Sequence, residues 1–98
     1  MILEQALLHI RKGQSAAFEA AMAQAKPLIA ASAGFLGFEV RPAARQADLY
    51  LLTVRWDCVA SHEEGFRKSD RYAKWRELLH GFYDPMPEVI YFEEPVIS

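Results

Sequence analysis

Apolar positions recur along this chain with two periods, one suited to strands and one to helices, and the two alternate. Ile2 to Ile10 (ILEQALLHI) is a short, mostly apolar run that reads as a strand, closed by Arg11-Lys12-Gly13. From Ser15 to Ser32 the period lengthens. Phe18, Met22, Ala25 and Ile29 fall on one face of an Ala-rich helix, with Ser15 as the expected N-cap. Pro27 lies inside that run and predicts a kink or a division, because it has no N–H to donate and its ring crowds the preceding turn. Gly34 is the expected left-handed stop. Phe35 to Arg41 and Leu49 to Trp56 read as a hairpin of two strands, joined by the connection Pro42 to Asp48. A second helix starts near Ser61, where Ser61 and Glu64 fit a capping box, and Gly65 and Ser69-Asp70 predict a bend or restart within it. Asp84-Pro85-Met86-Pro87 ends it, and Glu88 to Glu93 (EVIYFE) reads as the fourth strand.

The order strand-helix-strand-strand-helix-strand predicts an α+β, ferredoxin-like fold. Right-handed crossovers then put both helices on one face of a four-stranded antiparallel sheet. The other face has no cover, yet the strands do not alternate cleanly. Leu49-Tyr50-Leu51-Leu52 and Val89-Ile90-Tyr91-Phe92 are continuously apolar, whereas a sheet with one wet face alternates. Soluble monomers do not normally leave so large an apolar patch in water. The expectation is a homodimer packed sheet against sheet about a two-fold axis. The competing expectation is a monomer whose strands are merely rich in good strand formers.

Composition narrows the function classes. At 98 residues, 52% of them hydrophobic, the chain reads as one domain spanning residues 1–98. The net charge of −2 and the lack of a long run of one sign argue against nucleic acid as a partner. No stretch approaches the roughly 20 apolar residues that span a bilayer, and the N-terminal segment has no signal-peptide pattern. Cys58 is the one cysteine, so no intrachain disulfide can form. A cytoplasmic protein is the expectation. The three histidines are far apart in sequence, and there is no glycine-rich phosphate cradle, so neither a metal nor a cofactor is expected.

One group of residues carries a resemblance. A strand ends in Trp56, a helix opens with Ser61-His62, and Phe66, Ser69-Asp70, Tyr72 and Trp75 follow. Gly34-Phe35-Leu36-Gly37-Phe38-Glu39 comes after the first helix, and Val89 to Glu93 closes the chain. In order and spacing these segments resemble the antibiotic biosynthesis monooxygenase (ABM) domain family over nearly the whole chain. The resemblance implies a ferredoxin-like fold that dimerises through its sheets into an α+β barrel. It implies either cofactor-free oxygenation of quinols or polycyclic aromatics, or haem breakdown. The haem-degrading members use an Asn-Trp-His set. The corresponding positions here fall at about Ala6, Phe66 and Arg76, so all three are changed. A non-catalytic dimeric module that binds a small apolar molecule or a partner is the remaining reading.

Oxygenation without flavin or metal has a physical requirement. Triplet dioxygen reacts sluggishly with closed-shell molecules, so the substrate must be made electron-rich by losing a proton. The protein then needs a base, donors for an oxyanion and a dry cavity. His62 is the expected base, since imidazole titrates near neutral pH and the start of a helix favours its uncharged form. Tyr72 and Trp75 complete the expected catalytic set as donors. Trp56, Phe66, Arg55 and His80 are the expected substrate-binding residues: rings for a flat aromatic, Arg55 to balance a phenolate, and His80 near a helix C-terminus that favours a charged imidazole.

Overall fold

The computed structural model describes residues 1–98. The elements are β1 (Ile2–His9), α1 (Ser15–Ala30), β2 (Phe35–Pro42), β3 (Leu49–Trp56), a π-helical segment (Ser61–Phe66), α2 (Asp70–Leu79), a 3₁₀ turn (His80–Phe82) and β4 (Ile90–Phe92). The four strands form one antiparallel sheet in the order β2-β3-β1-β4. This is the expected ferredoxin-like α+β arrangement. The fourth strand is shorter than expected, because only Ile90, Tyr91 and Phe92 pair, against Gln5, Glu4 and Leu3 of β1. No helix is long and apolar enough to cross a membrane.

Strand alternation sorts the side chains. Ala6 and Leu8 of β1 and Tyr50, Leu52, Val54 and Trp56 of β3 are buried among the helices, and Glu4 shares their parity. The α1 stripe Phe18, Met22, Ala25 and Ile29 is buried against them, as its spacing predicts. Leu3, Leu7, Leu49 and Leu51 have the opposite parity, and so have Gln5, Thr53 and Arg55. The outer face is therefore mixed rather than uniformly apolar. Leu7, Ile90 and Phe92 of that face are 44% to 50% exposed.

Three local expectations need correction. The helix α1 runs through Pro27 undivided. Pro27 deprives the Ala23 carbonyl of its partner, but Ala23 is exposed, so water can serve it. Ser15 is not the N-cap. Its hydroxyl donates instead to Asp48 Oδ1 at 2.5 Å, a carboxylate delivered by the β2–β3 connection. Ser61 and Glu64 do not form a capping box. The Ser61 hydroxyl donates to Asp57 Oδ1 at 2.5 Å, and Glu64 pairs with Lys68 one turn on. Gly34 does take the left-handed conformation, at φ +85°. The second helical region does restart, with Ser69 extended between the π-helical segment and α2.

Candidate active site

A cavity of about 230 Å³ lies between the sheet and the second helical region, with ten of its fifteen lining residues hydrophobic. The sheet contributes Glu4, Ala6, Leu8 and Leu52. The π-helical segment contributes His62 and Phe66, with Arg67 just beyond it, and α2 contributes Tyr72 and Trp75. The broken helix explains how these meet. A π turn closes its hydrogen bonds over five residues rather than four, as Arg67 N–H does on the His62 carbonyl, and His62, Phe66 and Arg67 all reach the cavity wall.

The polar end of the cavity is a chain of three groups. Glu4 is 3% exposed on an otherwise apolar face. The Trp56 indole Nε1–H donates to its Oε1 at 2.8 Å, and His62 Nε2 stands 3.5 Å from the same oxygen. On the far side of the ring, His62 Nδ1 is hydrogen-bonded to the Tyr91 hydroxyl. Because Glu4 Oε1 is an acceptor, the imidazole proton belongs on Nε2. Nδ1 then accepts from the Tyr91 O–H. The His62 ring is held between Trp56 and Phe66, with centroids 5.4 and 6.2 Å away.

Burial sets the protonation states. It pulls the His62 pKa down to about 4, helped by the nearby Arg67 charge, so the imidazole is neutral at physiological pH. The sequence reading reached the same state from a helix terminus; the structure supplies it mainly by desolvation. Burial also raises the Glu4 carboxyl above its ordinary range, against the opposing pull of the Trp56 N–H and Arg67. The Tyr91 phenol is pushed up to about 12 by burial and by the Glu4 charge, so it stays protonated. Glu4, which lines the cavity and is backed by the neutral His62 ring that Tyr91 holds in place, is the group of this chain that can accept a proton there.

The other expected residues divide. Phe66, Tyr72, Trp75 and His80 line the cavity with His62. Phe66 meets Tyr72 and Trp75 edge to face, both at 5.4 Å between centroids. Trp56 is fully buried and does not line the cavity; it acts on Glu4 from behind. Arg55 is next to Trp56 in sequence and therefore on the opposite sheet face, against Gly37. Its guanidinium is not brought to the site. His80 does reach the cavity, but burial and the charges of Arg76 and Arg67 lower its pKa, opposite to the helix-terminus expectation. Glu4 and Tyr91 were missed as chemistry. A legible signal existed for Glu4, a carboxylate at the core parity of β1 beside Ala6 and Leu8. No group of three or more His, Cys, Asp or Glu side chains is gathered as a metal cage would require.

The profile of the family described as "Antibiotic biosynthesis monooxygenase" matches residues 1–78. The chain belongs to the antibiotic biosynthesis monooxygenase family. It is 39% identical over 94 residues to the uncharacterized protein YczJ of Bacillus subtilis, covering 96% of this chain and 99% of that one. A candidate antibiotic biosynthesis monooxygenase of Bordetella bronchiseptica superposes with a TM-score of 0.91 at 30% identity, covering 97% of each chain. SnoaB, a cofactor-independent oxygenase from Streptomyces nogalater, shares the fold at a TM-score of 0.85 and 14% identity, over 98% of this chain and 94% of that one. A monooxygenase-like role follows from the family at this general level.

Proposed function

We propose that this protein is a cofactor-independent monooxygenase acting on a small phenol or quinol. The observation that carries the reading is the Glu4–His62–Tyr91 chain opening onto an apolar, ring-lined cavity. A phenolic O–H placed at the polar end gives its proton to that chain. The resulting phenolate transfers an electron to dioxygen, the radical pair recombines as a peroxide on a hydrogen-bearing ring carbon ortho or para to the oxygen, and the proton taken from the phenol returns to make the hydroperoxide. Loss of water from that carbon, taking its hydrogen, leaves a quinone. One oxygen atom enters the substrate and the other leaves as water with two substrate hydrogens, so the substrate supplies every electron.

The cavity volume limits the substrate. Pockets for drug-sized ligands run to about 300–1,000 Å³, so about 230 Å³ suits one ring or a fused pair better than a larger polycycle. Tyr72 and Trp75 act as wall and as donors toward the ring oxygens. The working unit is a homodimer joined through the outer sheet faces. Its support is the set of exposed Leu7, Ile90 and Phe92 on a face that no helix covers. The lone exposed thiol, Cys58, fits a reducing compartment, and cytoplasmic residence goes with it.

The test is oxygen uptake with a panel of one- and two-ring quinols and phenols, with no added cofactor. Wild type consumes oxygen with at least one of them, and His62→Ala lowers the rate by about 10²–10⁴. Equal rates would overturn the assignment of the proton acceptor. For the dimer, Leu7→Glu converts a species of twice 11.1 kDa to the single chain in sedimentation; a wild type already at 11.1 kDa would refute it.

A further inference from the structure

Arg67 has a role that the proton chain leaves open. It lines the cavity beside His62 and Phe66 and makes no ion pair within the chain. Its neighbours are committed. Lys68 pairs with Glu64 at 2.6 Å, and Arg71 donates to the Leu28 carbonyl at 2.6 Å and to Ser32 Oγ at 2.7 Å. Arg67 is the one Lys or Arg side chain that lines the cavity, and its donors are free. Glu4, the one carboxylate of that wall, feels the Arg67 charge but forms no ion pair with it; its Oε1 holds the Trp56 N–H and faces His62.

We propose that Arg67 is the oxyanion-binding group of this cavity, so that the site selects phenols and quinols that it can hold ionised, with the deprotonated oxygen against the guanidinium. The proposal rests on the phenol-oxidising reading above and extends it to how the substrate is chosen. A proton acceptor alone cannot keep a phenolate in an apolar cavity, because burying an unpaired anion is costly. A guanidinium at the wall offsets that cost, and its several N–H donors fix the oxygen's position as well as its charge. Acceptor and cation on one wall divide the task. The Glu4–His62–Tyr91 chain removes the proton, and Arg67 holds what remains. The selected feature is the acidity of the hydroxyl, with the rest of the ring read only by shape. Methyl ethers of the same rings bind weakly and do not react.

The probe is 4-nitrophenol, a one-ring phenol that dioxygen does not readily oxidise and whose phenolate is coloured. Quenching of the two tryptophans, Trp75 in the cavity wall and Trp56 behind Glu4, reports its binding. Bound to wild type, the probe ionises about one pH unit below its value in water, a tenfold change in its acid constant. Arg67→Gln, a change at an exposed position, abolishes that displacement or reverses it, and Arg67→Lys keeps part of it. If the Arg67→Gln protein binds and ionises the probe as wild type does, the proposal is overturned. If wild type takes up no probe, both this proposal and the phenol-oxidising reading fail. An Arg67-dependent ionisation without oxygen uptake from any phenol or quinol would keep the anion site and bring down the oxygenase alone.

Discussion

The two helical regions pack on the same sheet face and do opposite jobs. The first, α1, is unbroken for sixteen residues, and its inward stripe of Phe18, Met22, Ala25 and Ile29 is wholly apolar. Of these four, only Ile29 reaches the cavity. The second region is interrupted twice, as π-helical segment, α2 and 3₁₀ turn. It delivers His62, Phe66, Arg67, Tyr72, Trp75 and His80 to the cavity wall. A regular helix offers one stripe every three or four residues, which suits burial. Breaking the period lets neighbouring residues such as Phe66 and Arg67 face the same space. Regularity here goes with support, and irregularity with chemistry.

Substitutions on either side can break that division. Glu4→Gln acts on the chemical side. It lowers turnover on the order of 10²–10³-fold. Stability at neutral pH is unchanged or higher, because the amide oxygen still accepts from Trp56 and no charge is buried. Turnover and urea unfolding measured on the same preparation check this, and parallel losses would break the contrast. Met22→Ala acts on the supporting side, at a side chain only 5% exposed. It costs about 2–5 kcal/mol of unfolding free energy, while the folded fraction turns over at the wild-type rate. A selective loss of turnover there would show that α1 has a chemical part after all.

Acid sharpens the comparison. His62 ionises at 6.5 by its ordinary value and at about 4 in the folded chain. The folded state resists the charge, so this part of its stability is complete above pH 6.5 and is lost as pH falls toward 4. The size is about 3 kcal/mol. Glu4 works against this. Its pKa is raised on folding, so protonation in acid favours the folded state and returns part of the loss. Unfolding midpoints between pH 4 and 7 therefore fall more steeply for Glu4→Gln than for wild type. The smallest effect is that of Tyr91→Phe, which removes the hydroxyl from His62 Nδ1. Turnover falls about tenfold, and unfolding free energy falls by the ~1–3 kcal/mol of an unsatisfied buried acceptor.

The sheet order and helix placement were legible because period and element order suffice for them. His62, Phe66, Tyr72 and Trp75 were legible as a ring-rich helix start beside a strand end. Arg55 was misplaced by adjacency. One residue along a strand is the other face of the sheet, so its closeness to Trp56 in sequence means separation in space. Tyr91 was hidden for a different reason. Its role depends on the register that sets it opposite Glu4, a pairing across 87 residues that no local pattern encodes. Glu4 was readable by parity but resembled a strand polar residue beside Gln5. The helix interruption was foreseen at Gly65 and Ser69-Asp70; that the first piece winds as a π turn was not.

That long-range register also dictates when the protein becomes competent. During synthesis, residue 4 leaves the ribosome first and waits for two helices and a hairpin before residue 91 emerges. A chain that ends before its final strand lacks the hydroxyl that meets His62 Nδ1. Truncation before residue 88 therefore separates the cavity from the Tyr91 end of its hydrogen-bond chain.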